Sequence, residues 1–126
     1  VPNLRLLRAG LLAALSLGLV ACDDDSDDID GYTPPPGKGA LTVDNNTFTD
    51  IEVYVDGAPL QRVNDGKFRR YDLEPGVRRV LLVDDERDVR SYSADVDILR
   101  GRQTILDVTV DFGFSSRRFD VQVFLD

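Results

Sequence analysis

Ile51-Glu52-Val53-Tyr54-Val55-Asp56-Gly57 decides how this chain folds. Its inward residues recur at every second position, so one face of an extended strand is dry while the other carries Glu52 and Tyr54. The run stops at Asp56-Gly57, the dipeptide that suits a type I′ hairpin turn, because both central residues of that turn need positive φ.

The same period of two continues outward in both directions. Leu41 and Val43 alternate with Thr42 and Asp44. Downstream, Tyr92, Ala94, Val96 and Ile98 alternate with Ser93, Asp95 and Asp97. Leu106, Val108, Val110 and Phe112 alternate with Asp107, Thr109 and Asp111, and Phe119, Val121, Val123 and Leu125 with Asp120, Gln122 and Phe124. Each pattern describes a strand with one wet face. Less regular strands are expected over 60–63, 68–73 and 77–83, the last almost wholly apolar from Val80 and therefore central. Asn64-Asp65-Gly66, Arg100-Gly101-Arg102 and Gly113-Phe114-Ser115-Ser116 mark further reversals. Glu74-Pro75-Gly76-Val77 suits a type II turn, and if it closes a hairpin then Asp72 faces Arg79. No segment after Cys22 carries a helical stripe. The expectation is an all-β domain over residues 40–126, an antiparallel β-sandwich of seven to eight short strands.

Gly39-Ala40-Leu41-Thr42-Val43, the Ile51–Gly57 run, Leu73-Glu74-Pro75-Gly76, Val96-Asp97-Ile98 with Gly101, and the strand over 106–110 together resemble the PEGA-type repeat. That resemblance covers roughly residues 39–110 and implies a small immunoglobulin-like β-sandwich in an envelope or surface protein, with no catalytic residues to carry over. The chain departs from the pattern where the family's naming tetrapeptide should stand, which here is Asn45-Asn46-Thr47-Phe48-Thr49-Asp50.

The amino-terminal stretch has a different character. Arg5 and Arg8 give residues 1–8 a basic character, and residues 9–21 carry no charge and are rich in leucine. Such a run is too short to span a ~30 Å hydrocarbon core, which needs roughly 20 residues. It does fit the apolar segment of a secretory signal. Val1, in a sequence without methionine, fits a GTG start codon translated literally. Leu19-Val20-Ala21-Cys22 resembles the lipobox of bacterial lipoproteins, in which the cysteine thiol receives a diacylglyceryl group and the leader is cut just before it. By position, residues 1–21 are a cleaved signal helix and Cys22 is the lipid attachment site. Two or three acyl chains there would hold the domain at a membrane without a spanning helix. Asp23 resembles an inner-membrane retention signal in enteric-type envelopes and a surface-export signal in others, so the leaflet stays open.

Residues 22–39 read as a disordered, acidic and proline-rich tether. Asp23-Asp24-Asp25-Ser26-Asp27-Asp28-Ile29-Asp30 places six carboxylates in eight positions, a run that repels itself and buries no apolar surface. Tyr32-Thr33-Pro34-Pro35-Pro36 continues it as a stiff, extended spacer. A calcium loop does not fit this stretch, since Gly37 stands where a bidentate Glu is needed.

Composition narrows the function. Losing Arg5 and Arg8 with the leader takes the 15 basic residues to 13, against 23 acidic ones. That balance argues against nucleic acid as a partner. The sequence contains no histidine, and its one cysteine is Cys22, so Ser91, Ser115 and Ser116 lack a histidine to activate them. Asp84-Asp85-Glu86-Arg87-Asp88 could offer oxygen ligands to calcium or be a solvated loop. Arg69-Arg70, Arg78-Arg79 and Arg117-Arg118 could form a basic patch or be neutralised by neighbouring acids. The expectation is a non-enzymatic protein without metal or cofactor, anchored through lipid to the inner or outer membrane of a bacterial envelope. Its sandwich would bind or scaffold a protein or an envelope polymer. A cell-wall or glycan-binding module is the alternative, and a hydrolase a more remote one.

Overall fold

The computed structural model describes residues 28–86, 90–110 and 117–126. Among these, the period-two segments form eight strands: β1 Gly39–Asn45, β2 Ile51–Val55, β3 Ala58–Pro59, β4 Phe68–Leu73, β5 Gly76–Asp84, β6 Ser91–Ile98, β7 Gln103–Thr109 and β8 Asp120–Leu125. They build two four-stranded sheets, ordered β4-β1-β7-β8 and β3-β2-β5-β6. Leu41, Val43, Leu106 and Val108 of the first sheet share one core cluster with Ile51, Val53, Val80, Leu82, Val96 and Ile98 of the second, and Phe119 adds to it. Alternation therefore produces a β-sandwich whose core is mostly Val, Leu and Ile. Each such side chain contributes about 1.5–3 kcal/mol when fully buried.

The local signals are realised closely. Asp56 and Gly57 take φ of 52° and 83°, and Val55 pairs with Ala58 across them. The apolar stretch from Val80 lies in β5, between β2 and β6. Glycine is required at Gly39 for a steric reason: a Cβ there would lie 2.4 Å from the carbonyl oxygen of Leu99.

Other features depart from the sequence reading. Residues 60–63 form no strand, and Val63 alone bridges to Ile51. One pair in the sandwich, β1 with β7, is parallel. The cause lies in the 99–102 crossover, which ends beside the start of β1, where Gly101 N–H donates to Lys38 O and Ala40 N–H to Arg102 O. From there β7 can only run alongside β1. The Pro75-Gly76 turn carries the chain from one sheet to the other, so Asp72 does not face Arg79. Arg79 instead pairs with Asp95 across β5 and β6 at 3.2 Å.

Asn45–Asp50 is a structural loop. The buried Asn45 side chain donates to the carbonyls of Thr49 (2.8 Å) and Val63 (3.1 Å). Its oxygen accepts from Thr47 N–H and Thr47 Oγ1. This Asx-type turn carries the chain from the first sheet to the second.

Candidate functional site

The part of the expected tether that the structure describes, residues 28–38, lies along the outer face of the first sheet as an extended strap. Its backbone finds specific partners there. Ile29 O accepts from Gln103 Nε2 at 2.8 Å and from Arg70 Nη2 at 3.0 Å. Gly31 N–H donates to Asp126 Oδ2 at 2.7 Å, and Tyr32 OH to Asp72 Oδ1 at 2.9 Å. The Arg70 guanidinium stacks 4.0 Å from the Tyr32 ring centroid, and Lys38 pairs with Glu74 at 2.6 Å. The acids and prolines suggest a disordered tether, but residues 28–38 are instead held in place, because their backbone and side chains find partners far downstream in sequence.

Gln103 is the hub beneath the strap and is 0% exposed. Its Oε1 accepts from Thr42 Oγ1 and from Arg70 Nε (3.1 Å). Its Nε2 also donates to Asp126 Oδ2 at 3.1 Å. A buried amide with every group partnered fixes the surrounding geometry, because leaving any of them unpaired costs free energy.

Beyond the strap, toward β8, the same outer face opens into a groove of about 460 Å³. Asp30, Asp44, Asp107 and Asp126 line it, with Ile29, Ile105, Leu125 and the half-exposed ring of Phe124 as its apolar surface. The β1/β7 register sets Asp44 beside Asp107. Burial raises the Asp44 pKa above the ordinary carboxylate value. The Asp107 charge adds to this, and a hydrogen bond from Asn46 opposes it. Asn46 Nδ2 also donates to Asp107 Oδ1 at 2.8 Å. Such a groove favours a positively charged group with an apolar stem.

β8 forms the margin of this groove. Val123, Phe124 and Leu125 are 53%, 48% and 49% exposed, which places three large apolar residues in succession on an edge strand.

The other residues singled out by the sequence are placed as follows. Leu19, Val20, Ala21, Cys22 and Asp23 lie outside the described residues, as do Arg87, Asp88, Ser115 and Ser116. Asp84 is buried and accepts from Thr49 Oγ1 at 2.8 Å and Glu86 N–H at 2.9 Å. Asp85 pairs with Arg62 at 2.6 Å. Its carboxylate also hydrogen-bonds Glu52, and this raises the Glu52 pKa. These acids thus point to separate protein partners, and among the described residues no group of three His, Cys, Asp or Glu could hold a metal ion. Arg78 pairs with Asp56 at 3.0 Å, Arg70 is held under the strap, and Arg69 donates to Arg62 O and Gln61 Oε1. The first two arginine pairs are therefore tied down at separate places. No helix among the described residues is long and apolar enough to cross a membrane.

Solved structures share this fold. The C-terminal domain of AlgF from P. aeruginosa matches with a TM-score of 0.57 at 16% identity, over 71% of this chain and 99% of that one. At this identity the likeness is one of fold. The N-terminal domain of AlgF gives 0.47 at 15% identity, over 73% of this chain and 96% of that one. A protein from Eubacterium rectale gives 0.48 at 14%, over 71% and 88%. No protein-family model matches the sequence, and no curated protein does.

The acidic groove was only half visible in the sequence. Alternation puts Asp44, Asp107 and Phe124 on outward faces, but their adjacency depends on a parallel pairing that local patterns do not encode. Gln103 carried no signal beyond being a polar residue at the start of a strand.

Proposed function

We propose that this chain is a bacterial lipoprotein, anchored at Cys22, whose β-sandwich binds or scaffolds another envelope component without catalysis. The observation that carries the binding role is the apolar margin of β8, which the described residues leave uncovered beside an acidic groove. Exposed apolar residues grouped on an edge strand are a liability unless a partner covers them. Leu19-Val20-Ala21-Cys22, after an uncharged leader with two arginines, supports the lipid anchor. The PEGA-like pattern of residues 39–110 supports the envelope setting. A non-catalytic role is favoured by the engagement of Asp84 and Gln103 in bonds that hold the loops and the strap, and by the lack of histidine in the sequence.

Intact-mass analysis of the native protein is expected to show a diacylglyceryl-modified Cys22 as the first residue, and Cys22→Ser is expected to release the protein from membranes. A bare thiol, or a serine variant that still sediments with membranes, contradicts the anchor. Retention on purified peptidoglycan, independent of the β8 edge, would favour the cell-wall or glycan-binding alternative. Retention of an envelope protein that is lost when Phe124 and Leu125 become Ser supports the edge-binding role.

A further inference from the structure

We propose that the edge of β8, which no described strand pairs, takes up an extended basic segment, with Lys or Arg alternating with apolar residues, as an added strand of the first sheet. This deepens the non-catalytic binding role proposed above and rests on it.

The margins of the two sheets differ in how they are protected. β3 is two residues long and ends in Pro59. β4 is flanked by residues 61 and 62, whose carbonyls accept from the Tyr71 hydroxyl and from Arg69 Nε. The start of β6 is covered by residues 117–119, where Ser91 N–H donates to Arg117 O and Phe119 N–H to Ser91 O. Farther along, Asp95 and Asp97 charge that margin. Short strands, proline, charge and coverage are the usual protections of a sheet edge. β8 contains no Lys, Arg or Pro, and its last three residues are apolar and half exposed.

Its hydrogen-bonding pattern is set by a single observation. Gln103 and Asp126 exchange both backbone bonds, at 3.1 and 2.8 Å. Antiparallel pairs alternate between bonded and non-bonded, so in the β7/β8 register Ile105–Phe124, Asp107–Gln122 and Thr109–Asp120 are also bonded pairs. The N–H and C=O groups of Val121, Val123 and Leu125 therefore point away from β7. They present three donors and three acceptors to an incoming strand, the arrangement used when a peptide adds to a sheet edge.

Side-chain chemistry specifies the occupant. On the core side the new strand would lie against Val121, Val123 and Leu125, which calls for apolar residues. On the outer side it would lie against Gln122 and Phe124, with Asp126 just past the end of β8, Asp107 and Asp44 one and two strands farther in, and Asp30 on the strap. A Lys or Arg stem can cross Phe124, or pass beside Gln122, and bring its charge to that group. A second copy of the chain fits less well. Antiparallel pairing about Val123 would oppose Asp120 and Asp126 at each end, in a mature chain with 13 basic against 23 acidic residues.

The test uses the complete mature chain, ¹⁵N-labelled, with three peptides: acetyl-KVKVKVKV-amide, acetyl-EVEVEVEV-amide and the blocked order acetyl-KKKKVVVV-amide. The alternating basic peptide is expected to slow exchange of the Val121, Val123 and Leu125 amides by at least about tenfold, with each edge bond adding its share. Val123→Pro removes one outward N–H and is expected to weaken binding by about tenfold. The Asp44→Asn, Asp107→Asn double variant is expected to weaken it by about threefold, less so in high salt. The acidic peptide is expected not to bind. Absence of protection in the unmutated chain overturns the proposal without any variant having to fold. So does equal binding of the blocked peptide, or protection of the same amides by self-association. In any of these cases the occupant named here is wrong even if the envelope pull-down still retains a protein through β8. Loss of that retention bears separately on the non-catalytic binding role.

Discussion

The two halves of the first sheet's outer face use the same residue types to opposite ends. Under the strap, which reaches from β4 to the end of β8, an aromatic ring, an arginine, carboxylates and a glutamine are all engaged with one another. Tyr32 lies over Arg70 and bonds Asp72, and Gln103 joins Thr42, Arg70, Ile29 and Asp126. In the groove, Phe124 is half exposed and Asp44 and Asp107 lie side by side, with Asn46 donating to Asp107. The difference shows that an outward face is not by itself a binding face. On one half the chain's own segment has already taken the position of a ligand.

If that division is real, substitutions on the closed half should cost stability and those on the open half should not. The largest effect is expected at Gly39→Val, on the core side of the point where the strap joins β1. The added Cβ meets a backbone carbonyl that cannot swing aside, so a loss of about 3 kcal/mol is expected from chemical denaturation. A loss below about 1 kcal/mol would mean that the sheets are not held so closely there. Next comes Gln103→Ala, which leaves the Ile29 carbonyl and the Arg70 and Thr42 donors short of a buried partner. About 2 kcal/mol is expected, with faster proteolysis of the strap. An unchanged midpoint would remove Gln103 as the hub.

A smaller effect, opposite in sign, is expected at Asp44→Asn. The pKa of Asp44 is raised in the folded chain, so the folded state holds that proton more tightly than the unfolded state does. Stability from this group is greatest in acid and falls as pH rises through the unfolded and then the folded pKa. Replacing the carboxylate removes that loss, so Tm should rise near neutral pH, and the gain should shrink toward about pH 3. A fall in Tm at neutral pH would show that Asp44 is stabilised there as an anion. The smallest effect belongs to Phe124→Ser, expected within about 0.5 kcal/mol of the parent because the ring leaves little behind. A large loss would place Phe124 in the core rather than at an open margin.

Much of this fold was legible because its signals are local. Val80-Leu81-Leu82-Val83 announces a central strand, and Asp56-Gly57 a hairpin whose two φ angles are both positive. The docked strap was not legible, because a run of carboxylates and prolines looks solvated from composition alone. Its partner Gln103 is 74 residues from Ile29, and no local pattern spans that distance. The same holds for Asp44 and Asp107: alternation gives each its face, but only the crossover that makes β7 parallel to β1 makes them neighbours. Cys22 shows the converse, since a short motif proposes a covalent anchor that the packing of the sandwich neither requires nor forbids.

Amide hydrogen exchange along β8 in the free protein tests the open margin most directly. Gln122, Phe124 and Asp126 are expected to be protected by β7, while Val121, Val123 and Leu125 exchange at close to the rates of solvent-exposed amides. Uniform protection of all six would mean that the edge is already paired, and the contrast between the two halves of the sheet would fail.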